Sequence, residues 1–281
     1  ANLKVVVDAV NSVGGTVIPA LLKALGVKEV VELNCEPTGR FAHNPEPIPE
    51  NLIQISEKIK ECGADLGIVV DPDVDRLALV CENGEMFVEE YTLVAVADYV
   101  LKHTPGNTVS NLSSSRALRD VTLAHGQQYN AAAVGEVNVV TKMKETNTVI
   151  GGEGNGGVIY PESHYGRDAL VGVGLFLSHF VAEGKSMTVL KATYPQYFIS
   201  KNKLTLSPDM DVDKILEGLK KKYASEEITD IDGVKIDFKD GWVHLRKSNT
   251  EPIIRIYSES KDEAAANQLA EEVIKVAQSL Y

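Results

Sequence analysis

The chain has 281 residues, 44% of them hydrophobic, with a formal charge of −12 and a pI near 5.0. That length and apolar content allow a sizeable core spread over two or three domains. The acidic balance excludes a nucleic-acid or anionic-membrane surface, since both partners need a basic footprint, so an anionic ligand must be met by a local cluster of arginines.

In chain order, LKVVVD (3–8) reads as a buried strand and GGTVIPALLKALG (14–26) as a helix closed by Gly26. VVEL (30–33) is a strand, PENLIQISEKIKECG (49–63) a helix and ADLGIVV (64–70) a strand. Continuous aliphatic strands alternating with helices predict a mainly parallel sheet covered on both faces. LALVC and EMFVEE, joined by Asn83-Gly84, predict a hairpin that adds an antiparallel edge.

After the polar stretch KHTPGN (102–107) a second unit of the same layout follows: strand NTVSNL, helix SSRALRDVTLAHG, strand YNAAAV, helix VNVVTKMKETN, strand TVIGG. The two units read as a weak internal repeat. The apolar run ALVGVGLFLSHFVAEG (169–184) is too short for a membrane span and predicts a buried helix. From about 190 the pattern changes to YPQYFISKNKLTL, a helix near 211–224, short strands to 246, the strand IIRIYSE and a final helix at 261–279. The expected fold class is α/β, with two consecutive α/β domains of mainly parallel, mixed-edge sheets (1–104 and 105–190) followed by a C-terminal α+β domain (191–281). Cys35, Cys62 and Cys81 form no C-x-x-C pair, so reduced thiols and a cytoplasmic setting are expected, without a signal peptide or zinc site.

Three places concentrate chemistry. In GIVVDPDVDRLALV (67–80), Asp71, Asp73 and Asp75 alternate between two aliphatic runs. The spacing imitates the start of an EF-hand loop, with Glu82 at its twelfth position, but Arg76 stands where such a loop needs glycine and the flanks read as strands rather than helices. Open α/β sheets place ligands at the carboxyl ends of their strands, and three carboxylates there suit a hard divalent cation that also grips phosphate. In GGEGNGG (151–157), Glu153 and Asn155 are embedded in glycines, so backbone can approach a ligand closely while the two side chains bond hydroxyls. In LRKSNTEPIIR (245–255), Arg246 and Arg255 offer forked donors for phosphate, and Ser248, Asn249 and Thr250 can complete an anion nest.

These residues resemble a known family. DPDVDR is similar to the D-P-D-x-D-R metal-binding loop of the α-D-phosphohexomutases, GGEGNGG to their sugar-binding loop and RKSNTEPIIR to their phosphate-binding loop. NPEPIPENL and YPQYFISKNK add to the likeness, which covers nearly the whole chain. The sugar loop departs from the usual G-E-x-S-G-H at Asn155 and, more drastically, at Gly157, where the family usually carries histidine.

The resemblance implies a phosphohexomutase, an isomerase that moves a phosphoryl group between O1 and O6 of a glucosamine, mannose or glucose phosphate. It implies an enzyme phosphoserine, a hexose 1,6-bisphosphate intermediate and Mg2+ held by Asp71, Asp73 and Asp75. Arg76 would be catalytic, facing the transferring group, and Glu136 a possible active-site neighbour or a helix cap. Ser113, Ser114 and Ser115 read as caps, and His164, Arg167 and Asp168 as residues that shape the domain. No T-A-S-H-N-P-like serine motif occurs in the 281 residues. The expectation is therefore a chain without the N-terminal serine domain of the same protein, inert alone but able to bind cation and sugar phosphate. A Mg-dependent phosphatase using D-x-D, or a non-catalytic sugar-phosphate-binding protein, are the rival readings.

Overall fold

A computed structural model describes residues 2–207, 210–248 and 251–280. The chain divides into two compact units, one of residues 1–131 and 135–195, the other of 132–134 and 196–281.

The first unit opens with β1 (Lys4–Asp8), α1 (Gly14–Ala24), β2 (Glu29–Leu33), α2 (Ile53–Cys62), β3 (Leu66–Val70) and β4 (Leu77–Cys81). Its first sheet has the order β2-β1-β3-β4, parallel except for β4. The helix expected over 49–63 is interrupted: Pro49–Asn51 form one 3-10 turn, Leu52 leaves helical geometry at φ −108°, and α2 follows, closed by Gly63 in the left-handed conformation. Leu52, Ile55 and Ile59 still bury one face against Val6, Val69 and Val80.

The hairpin arm EMFVEE does not form a strand. Beyond Asn83-Gly84 only a single bridge joins Val80 and Met86. Val88 turns the backbone at φ 72°, and α3 (Glu89–His103), unforeseen in the sequence, begins. Its middle is buried almost all round, so no polar stripe betrays a 3.6-residue period. It packs on β4 of the first sheet and on β7 and β8 of the second.

The second sheet is built from β5 (Asn107–Asn111), α4 (Ala117–Ala124), β6 (Tyr129–Ala132), α5 (Glu136–Glu145), β7 (Thr148–Glu153) and β8 (Gly157–Ile159). Its order, β6-β5-β7-β8 with β8 antiparallel to β7, reproduces the first sheet strand for strand. The two sheets meet end to end, because the β4 start at Leu77 donates its N–H to the Gly156 carbonyl (3.0 Å) and Arg76 bridges to Gly157. Then come α6 (Ala169–Glu183), capped by Asp168, and the short α7 (Met187–Lys191), also unforeseen. Thr188 of α7 donates its N–H to Glu82 at 3.1 Å, which gives that carboxylate a structural task.

The second unit carries β9 (Phe198–Thr205), α8 (Val212–Lys222), β10 (Glu227–Thr229), β11 (Val234–Phe238), β12 (Gly241–Lys247), β13 (Ile253–Ser260) and α9 (Glu263–Gln278). The sheet is antiparallel throughout, in the order β10-β11-β12-β13-β9. One face packs Val243, Leu245, Ile254 and Ile256 against Ile215, Leu219 and Val273 of α8 and α9. This is the expected α+β character. Among the described residues, no helix is long and apolar enough to cross a membrane.

Candidate functional site

The loop after β3 turns on Val74, a β-branched residue held at φ 60°. Such a backbone costs of order 1–3 kcal/mol and persists only where its surroundings enforce it. Here the Val74 side chain is buried, its N–H donates to the Asp71 carbonyl (3.2 Å), and its own carbonyl accepts from Ala169 at the start of α6 (3.0 Å).

The turn brings one carboxylate oxygen each of Asp71, Asp73 and Asp75 within 4.8 Å of one another. Asp71 is 5% exposed, and its Oδ1 accepts from the backbone N–H groups of Asp75 (3.1 Å) and Arg76 (3.0 Å). Burial pushes the Asp71 carboxyl up to about 7, with the negative charges of Asp75 and Asp73 adding to the rise against the Arg76 amide. Asp75 Oδ1 is buried with no hydrogen-bond partner, and Arg76 Nε stands 3.6 Å from Asp71 and 3.8 Å from Asp75 without an aligned bond to either. An orphaned carboxylate oxygen in an all-oxygen donor set fits a hard cation such as Mg2+ or Mn2+.

Glu153 ends β7 and is 4% exposed. Its Oε1 accepts from Asn111 Nδ2 (2.8 Å) and the Gly135 N–H (3.2 Å), and its Oε2 accepts from Arg167 (3.0 Å). Asn155, half-buried, accepts the Gly157 N–H on Oδ1 at 3.1 Å, which leaves its amide NH2 group to donate. The serines behave as local supports. Ser114 Oγ donates to Asn111 and accepts from Gly154 N–H, while Ser115 Oγ accepts from Ala117 N–H at the start of α4.

Sequence reasoning missed what Arg167 does. Its guanidinium reaches Asp75 of the aspartate loop, Glu153 of the glycine loop at 3.0 Å and Glu136 at 3.4 Å, while its backbone N–H donates to Glu136 at 3.0 Å. Glu136, on the first turn of α5, is therefore tied across to the segment before α6. The signal lay in ESHYGRD, where an arginine precedes an N-cap aspartate, but only the fold brings three carboxylates to it.

In the second unit, strand register sets Arg246 directly opposite Arg255, and Arg255 directly opposite Lys203. Like charges facing across a ladder destabilise it unless an anion intervenes. Lys203 was not among the predicted residues, although the alternation in SKNK places Lys201 and Lys203 on one face. Arg255 contacts Glu251 at 3.2 Å, and Ser248, buried, donates its N–H to the Ile253 carbonyl and accepts the Glu251 N–H on Oγ. Asn249 and Thr250 lie outside the described residues.

Comparison with known proteins agrees with this layout. Three sequence profiles of one family match in order: "Phosphoglucomutase/phosphomannomutase, alpha/beta/alpha domain II" over 1–84, "alpha/beta/alpha domain III" over 89–197 and "C-terminal domain" over 204–276. The chain is 40% identical over 276 residues to a phosphoglucomutase/phosphomannomutase of Thermococcus kodakarensis, spanning 97% of this chain and 60% of that protein. It is 32% identical to a probable phosphoglucosamine mutase of Methanopyrus kandleri, over 98% of this chain and 61% of that protein. A crystal structure of a phosphoglucomutase/phosphomannomutase family protein from Burkholderia thailandensis superposes with a TM-score of 0.85 at 30% identity, covering 98% of this chain and 61% of the other. The chain thus spans about three-fifths of the length of these relatives. Its three profile matches, in order and almost end to end, place it in the phosphoglucomutase/phosphomannomutase family.

Proposed function

We propose that this chain provides the cation, sugar and phosphate loops of a phosphohexomutase. The reaction is reversible transfer of a phosphoryl group between O1 and O6 of a hexose phosphate, through an enzyme phosphoserine and a hexose 1,6-bisphosphate. One observation carries the reading: three aspartates converge on a strained turn with an orphaned carboxylate oxygen, and the glycine loop is hydrogen-bonded onto that same turn.

Asp71, Asp73 and Asp75 would hold Mg2+, which when bound neutralises charge on the transferring phosphoryl. Arg76, beside them, faces that group. Asn155 donates its amide to sugar hydroxyls, while Glu153, already bonded through both oxygens, holds the loop and reaches the sugar through its remaining lone pairs. Arg246, Ser248, Asn249, Thr250 and Arg255, joined by Lys203, grip the phosphate that is not reacting. These 281 residues hold no serine loop of the T-A-S-H-N-P type, so the chain alone binds without turning over.

Calorimetric titration with Mg2+ or Mn2+ tests the first part. Asp75→Asn should weaken cation binding by tenfold or more, about 1.4 kcal/mol, and an unchanged affinity would defeat the assignment. A coupled assay with glucosamine, mannose and glucose phosphates tests the rest. Turnover by this chain alone would refute the claim that it is inert, and phosphate release without isomerisation would favour a phosphatase.

A further inference from the structure

The region around the aspartate turn is crowded with acid. Asp71, Asp73, Asp75, Glu136 and Glu153 supply five carboxylates against the two guanidiniums of Arg76 and Arg167. A divalent cation suits that imbalance, but a sugar phosphate does not. Arg167 stands where the conflict is sharpest, since one guanidinium with 15% of its side chain exposed touches carboxylates from three separate segments.

The room for it comes from Gly157. A Cβ at that position would lie 2.4 Å from Arg167 Cδ and 3.1 Å from Cγ, mid-chain atoms that cannot swing aside without taking the guanidinium with them. Any larger side chain at 157 and the present placement of Arg167 exclude each other.

We propose that Arg167 is a charge-balancing, positioning residue that lets one pocket hold a divalent cation beside an anionic sugar phosphate, using the space that glycine at 157 leaves open. This rests on the function proposed above. The physical consequence is a pair of opposite effects. Removing the positive charge deepens the negative potential, which favours a cation and disfavours an anion. A residue that merely held the fold together would weaken both ligands alike.

The test uses the 281-residue chain in two separate calorimetric titrations, Mn2+ without sugar and glucose 6-phosphate in the presence of EDTA. Arg167→Met should tighten Mn2+ roughly threefold to tenfold and weaken glucose 6-phosphate roughly tenfold. Arg167→Lys, which keeps the charge and loses the fork, should return both toward wild type. Gly157→Ala, whose Cβ would also meet Asn155 Oδ1 at 3.1 Å, is read on Mn2+ alone: it should tighten the cation in the same sense as Arg167→Met and add little to that on the Arg167→Met background, because its effect on the cation passes through the Arg167 side chain. Unfolding midpoints of all variants identify any loss of structure; if Arg167→Met is poorly folded, Gly157→Ala and Arg167→Lys carry the comparison. Shifts of both ligands in one direction, no shift in either, or failure of lysine to restore them would overturn the proposal while leaving the function intact. Wild-type protein that binds neither Mn2+ nor glucose 6-phosphate would overturn the functional reading itself, and this proposal with it.

Discussion

Val74 links backbone strain to ligand geometry in a single residue. Glycine there would relieve the left-handed turn, yet it would also free the loop that aims Asp73 and Asp75. Val74→Gly should therefore change the unfolding free energy by less than about 1.5 kcal/mol while weakening Mn2+ binding severalfold, a split that calorimetry and denaturant titration resolve. His244 makes a different point. It is 1% exposed, its Nε2–H donates to the Asp232 carbonyl at 2.7 Å, and burial pulls its pKa down to about 4. The unfolded chain takes up its proton near pH 6.5 and the folded one only near 4, so this stabilisation is complete above pH 6.5 and lost as pH falls toward 4. The loss amounts to roughly 3 kcal/mol. His244→Gln should flatten the acid limb of the stability profile. Lys203, opposite Arg255, should weaken inorganic phosphate binding severalfold when replaced by alanine, read at two salt concentrations.

Elements were legible where a period or a punctuation mark announced them. β1, β3 and α2 declared themselves through aliphatic runs and a closing glycine, and the aspartate triad stood out because like charges at two-residue spacing have no place in a packed interior. α3 left no such trace. It packs on both sheets, buried on nearly every side, and the segment EMFVEE that leads into it carries strand-forming Phe87 and Val88, a preference that tertiary packing overrides. Arg167 was illegible for a related reason: nothing local connects it to Asp75, Glu136 and Glu153, which only the long-range fold assembles. The N-cap of α6 follows from local rules, with Asp168 Oδ1 accepting from Leu170 N–H at 2.8 Å and Val171 N–H at 3.2 Å. Asp168→Ala should cost about 1 kcal/mol, read by chemical denaturation. Because Ala169 also donates to Val74, the same change should blunt cation affinity where a cap on a remote helix would not.

Two compact units, each with an apolar core of its own, make a single all-or-none melt an unreasonable expectation for the whole molecule. Calorimetry should resolve two transitions. Mn2+ should raise only the one belonging to residues 1–131 and 135–195, and inorganic phosphate only the other, by an amount that grows with the logarithm of ligand concentration. Acidification toward pH 4 should lower the phosphate-sensitive transition, through His244. The end-to-end junction of the first two sheets, where Arg76 and Leu77 meet Gly156 and Gly157, has a consequence for manufacture and for evolution alike. Each half lends a backbone contact to the start of the other's terminal strand, so severing them would leave the Leu77 N–H and the Gly156 carbonyl without their partners. Either half, expressed by itself, should associate with copies of itself along that raw border, a self-association that light scattering would register and the joined pair would lack.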